Sequence, residues 1–171
     1  MLRESGLTLI ELLVTLAVAA VLFGIVAPGF AGMLREQQLI TTTNTFISAL
    51  NMARWEAIKR GHHVLVCPST DGERCQAVSY GEGWLVGVVM DPSQGFAEPD
   101  DIIRRFGAVP PAVTIEVNGA MAQYIGYRND GQTRRLNDAL LMGSVRVCTE
   151  DGGRRIVISR TGRARVETDS C

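Results

Sequence analysis

Arginines cluster around a Thr-Gly pair near the C-terminus of this 171-residue chain. If Thr161 and Gly162 turn a β-hairpin, Arg163 and Arg165 lie on one face of the last strand, because strand side chains alternate with a period of two. Arg160, across the turn, could join them. Guanidinium groups at this spacing bind successive phosphates in a salt-dependent and largely sequence-independent way. The pattern predicts a polyanion site; the alternative is a solvated edge strand whose arginines discourage edge pairing.

The overall charge does not decide between these two interpretations. The formal net charge is −1, and the chain has 16 arginines against one lysine, Lys59. From Arg128 onward there are nine arginines and six acids. Arginine suits phosphate better than lysine does, because its planar guanidinium group can donate two parallel hydrogen bonds. A GC-rich genome would give the same excess of arginine over lysine. The composition therefore permits a polyanionic partner without requiring one.

Four cysteines, Cys67, Cys75, Cys148 and Cys171, are widely spaced and include no C-x-x-C motif. An even count of this kind favours two disulfides and an oxidising compartment. Of the three possible pairings, we prefer Cys67 with Cys75, which closes a short polar loop, and Cys148 with Cys171, which holds the C-terminus. The alternative is four buried thiols.

A single carboxylate, Glu11, interrupts an otherwise apolar run at residues 7–27, apart from two threonines. As a helix, this run is roughly 30 Å long, enough to span a hydrocarbon core. A charge in a membrane segment costs about 2.5–3.5 kcal/mol on insertion scales, so Glu11 is a candidate functional residue.

The remaining polar clusters do not form a recognisable catalytic or metal site. His62 and His63 are adjacent, so in a strand they point to opposite faces and cannot bind one metal ion together. Asp100 and Asp101 lack the spaced ligands of a calcium loop. No phosphate loop and no nucleophile with a recognisable base is present. The sequence predicts a protein that is not an enzyme and has no cofactor.

The elements that carry these residues are one long helix and a series of strands. Within residues 33–61, apolar and small side chains recur at helical spacing and predict a buried stripe: Leu39, Thr43, Phe46, Leu50, Ala53 and Ala57. Gly61 is a plausible left-handed cap. Beyond it, short β-branched runs alternate with turn residues. The predicted strands are 62–66, 84–90, 102–106, 113–117, 123–127, 144–148, 155–159 and 163–166.

The predicted fold class is α+β: a long N-terminal helix packed on a C-terminal antiparallel β domain. Residues 7–32 form its transmembrane half, residues 33–61 the amphipathic half, and residues 62–171 the sheet domain. Loops are expected at 68–83 and 91–101, and turns at 129–131 and 161–162. Pro28, with glycines around it, is expected to kink or locally melt the helix, since proline removes a backbone donor.

The N-terminal residues Gly6-Leu-Thr-Leu-Ile-Glu11-Leu12 resemble the class III signal of type IV prepilins and type II secretion pseudopilins. The resemblance implies that residues 1–6 are a leader peptide, that prepilin peptidase cuts between Gly6 and Leu7, and that Leu7 is then N-methylated. Leu7 stands where phenylalanine or methionine is more usual. Glu11 would become the fifth residue of the mature chain and pair with the amino terminus of a neighbouring subunit on assembly. Residues 7–32 would then be the filament-core helix, and family filaments show melting near Pro28.

Three further stretches resemble the GspH/FimT/FimU group of minor pilins and pseudopilins: the helix end at 53–61, the strand at 83–86 and the hairpin at 155–163. Gly162-Arg163-Ala164-Arg165 matches the G-R-x-R motif with which FimT-type minor pilins are thought to bind DNA in natural transformation. The motif is short, and similar hairpins occur in FimU and GspH relatives.

The resemblance implies a minor type IV pilin at or near the pilus tip that aids assembly, and the arginine hairpin adds possible binding of extracellular double-stranded DNA. The alternatives are a purely structural tip pilin without DNA binding and a GspH-type pseudopilin of a type II secretion system. The implied partners are minor and major pilins, prepilin peptidase and the inner-membrane assembly platform. The implied location is the bacterial inner membrane, as a single-pass protein with a periplasmic domain, and then the extracellular pilus.

Overall fold

A computed structural model of the chain describes residues 8–91 and 101–171. The predicted leader at 1–6, the cleavage pair Gly6 and Leu7, and most of the predicted loop at 91–101, including Asp100, lie outside the described residues. Within the described ranges, no helix combines the length and the apolar character needed to cross a membrane.

Helix α1 runs from Leu9 to Arg60 and has a cap at each end. At its start, the Thr8 hydroxyl accepts a hydrogen bond from the amide of Glu11 at 3.4 Å, which satisfies one of the free N–H groups of the first turn. At its end, Gly61 adopts the predicted left-handed conformation, with φ 73°. These two caps mark where α1 begins and where it ends.

Helix α1 continues past Pro28, where the sequence predicts a kink or local melting, and the backbone is helical without interruption from Leu9 to Arg60. A proline inside a helix removes one amide donor and strains the preceding turn. The residues on either side keep their own amide groups and can continue the hydrogen-bonded ladder. The loss of one bond is therefore not sufficient to end this helix.

The predicted stripe of α1 is buried, and every one of its six members is at most 3% exposed. The stripe contacts strands of both sheets of the β domain. Phe46 lies at its centre, with its ring centroid 5.4 Å from that of Tyr80 and 5.3 Å from that of Trp84. Burial of each such large apolar side chain contributes about 1.5–3 kcal/mol relative to exposure, so this face holds the helix on the domain.

The β domain consists of two four-stranded antiparallel sheets rather than one continuous sheet. The first has the order β3-β2-β1-β5, and the second the order β4-β6-β7-β8. The strands are β1 His63–Pro68, β2 Trp84–Val89, β3 Asp101–Phe106, β4 Thr114–Val117, β5 Ile125–Tyr127, β6 Gly143–Thr149, β7 Gly152–Ile158 and β8 Ala164–Asp169. The predicted α+β class, a helix on an antiparallel β domain, is confirmed.

Both disulfides have the pairing preferred from the sequence. Cys67 and Cys75 join the end of β1 to the loop that follows it. Cys148 and Cys171 join β6 to the C-terminal residue. The second disulfide holds the end of β8 beside the centre of its sheet.

Candidate nucleic-acid interface

Strands β7 and β8 form the predicted C-terminal hairpin. The amide of Ser159 donates to the carbonyl of Arg163 at 3.0 Å, and the amide of Gly162 donates to the carbonyl of Ser159 at 2.9 Å. Strand β8 begins at Ala164, one residue later than predicted. The reason is that Arg163 closes the turn, while Arg165 is the second residue of the strand.

The turn is fixed against a second turn of the domain by a close backbone contact. Gly162 is buried, has φ 78°, and would place a Cβ atom 2.0 Å from the carbonyl oxygen of Gly131. Only glycine fits such a position. Arg54 of α1 donates from Nε to the same Gly131 carbonyl at 3.1 Å, and the amide of Thr133 donates to the carbonyl of Arg160 at 3.1 Å. The hairpin is therefore held on a rigid support.

The hairpin arginines, Arg160, Arg163 and Arg165, all have exposed side chains. In the part of the chain that the structure describes, the guanidinium groups of Arg160 and Arg163 have no acidic or hydrogen-bonding partner. Nε of Arg165 lies 3.0 Å from a carboxylate oxygen of Glu167, with the arginine side chain 73% exposed. An exposed pair of this kind contributes little and exchanges readily, so all three cations remain accessible to an anion.

The three hairpin arginines line an open groove with a volume of about 920 Å³. Its apolar lining includes Met142 from the segment before β6 and Val157 from β7. The groove therefore places positive charge next to apolar surface, an arrangement that the sequence did not predict.

At the other end of the same sheet face, arginines are neutralised. Nε of Arg146 lies 2.8 Å from one carboxylate oxygen of Asp169, and Nη2 of Arg155 lies 3.0 Å from the other. Arg146 also lies 3.7 Å from Glu116. We call these four residues the Asp169 network. The Asp169 side chain is 8% exposed, so its charge is held largely out of water and depends on its partners.

Hydrogen bonds within the Asp169 network also set its protonation. The bond from Arg155, with a second bond from Arg146, holds the pKa of Asp169 below its ordinary value. The same contact with Asp169 raises the pKa of Arg155. Both groups are therefore fully charged at neutral pH.

Glu11 is exposed in the first turn of α1. The hairpin contacts α1 near Arg54, which is 43 residues further on, or roughly 65 Å along the helix axis. Glu11 and the hairpin arginines therefore belong to two separate sites. Leu7, the predicted amino terminus after leader cleavage, lies outside the described residues.

The two adjacent histidines and Asp101 were considered above as metal ligands, and the structure shows their surroundings. His62 is exposed and His63 is partly buried, and burial lowers the pKa of His63. Asp101 forms an ion pair with Arg60 of α1. Among the described residues, no group of three or more His, Cys, Asp or Glu side chains is placed to hold a metal ion.

Sequence reasoning missed the residues that position the hairpin. Arg54 lies 77 residues from Gly131, and the Thr133 hydroxyl donates to the carbonyl of Ser159, 26 residues away. No local pattern indicates such contacts. Asp169 is the second of two acids in β8, after Glu167, and nothing in the local sequence distinguishes it. Its two partners could be assigned only once the strand register was known.

Two family models match this chain, one over its larger C-terminal part and one at its N-terminus. A sequence model of the family described as Type II transport protein GspH matches residues 42–162. A model of the prokaryotic N-terminal methylation motif matches residues 1–27. No match was found among curated proteins.

Solved structures with a similar fold include the type IV minor pilin FimU of Pseudomonas aeruginosa and the minor pseudopilin EpsH of the Type 2 Secretion System of Vibrio cholerae. The FimU match has 20% identity and a TM-score of 0.57, and covers 77% of this chain and 90% of FimU. The EpsH match has 12% identity and a TM-score of 0.52, and covers 77% of this chain and 97% of EpsH. At these identities the likeness shows the fold alone.

Proposed function

The chain belongs to the GspH family of minor pilins and pseudopilins, and from this premise we propose that it is a minor type IV pilin that binds extracellular DNA. It is incorporated at or near the pilus tip, aids assembly, and captures DNA for natural transformation. One observation carries the DNA-binding step. Two exposed guanidinium groups, Arg160 and Arg163, lack an acidic partner among the described residues and line one groove with Arg165.

The spacing of the hairpin arginines fits a phosphate backbone. Arg163 and Arg165 are two residues apart, about 7 Å along the chain, so their two guanidinium forks can reach neighbouring phosphates of one strand. Arg160 adds a third cation from across the turn. Three phosphate contacts give a slope of about −2.7 for log affinity against log salt concentration on B-form DNA.

The test is a salt titration of DNA binding by the full-length chain in detergent micelles. We expect Arg163→Gln with Arg165→Gln to lower affinity for double-stranded DNA about tenfold or more near 0.1 M salt, and to reduce the salt slope by about 1.8. The matched control is Arg74→Gln with Arg104→Gln, which removes the same charge from exposed arginines elsewhere on the domain. Binding that survives loss of both hairpin arginines, or that does not depend on salt, contradicts the proposal.

The N-terminal half has its own proposed role. Proteins with the N-terminal methylation motif are membrane-anchored and then assembled into filaments. For this chain we infer an inner-membrane anchor at residues 7–32 and a periplasmic domain before assembly. Prepilin peptidase then cuts between Gly6 and Leu7 and methylates Leu7, and the assembly platform delivers the subunit to other minor and major pilins. The match of residues 1–27 to the methylation motif supports this sequence of events.

Glu11 is the residue to change at this end. Its pairing with the amino terminus of a neighbour would offset much of the cost of burying either charge. Glu11→Ala should leave leader cleavage largely intact and impair incorporation, measured as the amount of this subunit in sheared pili. Normal abundance of the variant in sheared pili would refute the role.

A second candidate function is purely structural, and the exposed apolar side chains along the first half of α1 favour it. Leu9 is 77% exposed, Ile10 70% and Phe30 59%, so this half needs partners to cover it. On this account, deletion of the chain removes surface pili. The DNA-binding account predicts normal piliation but poor transformation when Arg163 and Arg165 are replaced. A secretion defect on deletion would instead indicate a pseudopilin of a type II secretion system.

A further inference from the structure

The lining of the groove beside the hairpin combines cationic and apolar side chains. Its charged lining is Arg155, Arg160, Arg163, Arg165 and Glu167. Arg155 is held by Asp169, so the hairpin arginines are the cations that make the groove complementary to an anion. Its apolar lining includes Met142, Val157 and Ala164, which we call the apolar floor. Met142 is 54% exposed, so its side chain is available to a ligand rather than packed into the core.

An intact DNA duplex would contact the arginines of this groove but not its apolar side chains. In a duplex the base faces are stacked on one another, and a protein meets phosphates, sugars and base edges. The apolar floor would then remain without a partner. An unpaired nucleotide presents a phosphate together with a free apolar base face, and proteins that bind single strands use both.

The groove has room for a base, and its apolar lining suits a base chemically. A volume of about 920 Å³ lies at the upper end of the range of small-molecule pockets, about 300–1,000 Å³. A thioether is polarisable and makes favourable contacts with aromatic rings, which suits the flat face of a base. Among the residues that the structure describes, no aromatic side chain lines this groove, so the contact relies on Met142 and its aliphatic neighbours.

We propose that this groove accepts an unpaired base beside a phosphate held by Arg163, so that the site prefers single-stranded DNA or frayed ends over intact duplex. This inference rests on the proposed DNA binding and names the form of the substrate. Met142 acts as the platform for the base, and the hairpin arginines hold the flanking phosphates.

The experiment measures fluorescence anisotropy of three labelled 20-nucleotide probes with the full-length chain in detergent micelles at one salt concentration. The probes are a single strand, a blunt duplex and an abasic strand that keeps the phosphates and lacks the bases. We expect the single strand to bind about fivefold more tightly than either of the others. Met142→Ser should remove most of that advantage and leave the affinities for duplex and abasic strand within about twofold.

Two further variants keep the result interpretable. Met90→Ser changes a methionine that is 57% exposed and lies outside the groove, and it should alter none of the three affinities. Arg163→Gln should weaken all three probes. Equal affinity for the single and abasic strands, or an equal loss on all probes from Met142→Ser, overturns the base platform and leaves phosphate binding standing. Absence of binding to every probe contradicts the proposed function itself.

Discussion

Arginines lie at both ends of one face of the sheet β4-β6-β7-β8, but they have different neighbours at each end. In the Asp169 network, Arg146 and Arg155 share a carboxylate that is 8% exposed. Among the hairpin arginines, Arg160 and Arg163 have no acidic partner in the described residues. The same residue type therefore stabilises the fold at one end and remains available for a ligand at the other.

The two ends are also held in place by different means. The Asp169 network lies next to the disulfide between Cys148 and Cys171, so a covalent link and charge pairing secure the end of β8. The hairpin end depends on backbone contacts, chiefly the approach of Gly162 to Gly131. A change in the backbone should therefore damage the hairpin end most, and a change in charge should damage the Asp169 network most.

The largest expected effect comes from Gly162→Ala. Gly162 has φ 78° and would place its new Cβ 2.0 Å from the Gly131 carbonyl, so we expect a loss of at least about 2 kcal/mol in the free energy of unfolding. The matched control is Gly61→Ala, at a similar φ of 73° but with no atom of the described residues within 4 Å of the added Cβ, and it should lose about 1 kcal/mol. Urea unfolding measures both. Equal losses would show that contact between the turns does not hold the hairpin.

An intermediate effect is expected from Asp169→Asn, which would make the two ends alike. Arg146 and Arg155 lose their shared carboxylate, so the urea midpoint should fall while affinity for DNA rises about threefold, because two guanidinium groups become available to phosphates. The control is Asp138→Asn, which removes an exposed charge paired with Arg128 elsewhere. Unchanged stability together with unchanged DNA affinity would remove the distinction between the two ends.

The smallest effect is expected in the pH dependence of stability. Because the pKa of Asp169 is lowered in the folded chain, its contribution is present above the unfolded value of about 3.9 and is lost as pH falls through the folded value. The difference in melting temperature between wild type and Asp169→Asn should stay constant from about pH 7 to 5 and shrink below about pH 4. Taking the difference between the two proteins removes the contributions of Asp71 and Asp130, because both residues are present in each protein and their pKa values are also lowered. If the difference in melting temperature disappeared already near pH 6, the stabilisation could not be assigned to the ionised carboxylate of Asp169.

Features that depend on local periodicity could be predicted from the sequence. The buried stripe of α1 follows from apolar residues at helical spacing, and Gly61 follows from its place after Lys59 and Arg60. The hairpin follows from two β-branched runs around Thr161 and Gly162. In each case neighbouring residues contain the relevant physical information.

Features that depend on distant contacts could not be predicted in this way. The approach of Gly162 to Gly131 joins two turns 31 residues apart in the sequence, and the pairing of Asp169 with Arg146 requires the register of three strands. The continuation of α1 past Pro28 shows that one missing amide donor does not by itself end a helix. The groove beside Met142 arises only when the segment before β6 meets the hairpin.

The most direct test of the central claim compares two charge-matched double variants of the full-length chain in detergent micelles, each scored for duplex DNA affinity and urea midpoint. Arg160→Gln with Arg163→Gln should lower affinity about tenfold or more near 0.1 M salt and leave the midpoint unchanged. Arg146→Gln with Arg155→Gln should lower the midpoint and keep affinity within about threefold, because these arginines are already neutralised by Asp169. Equal losses of affinity from the two pairs would contradict the division of this face into a structural end and a binding end.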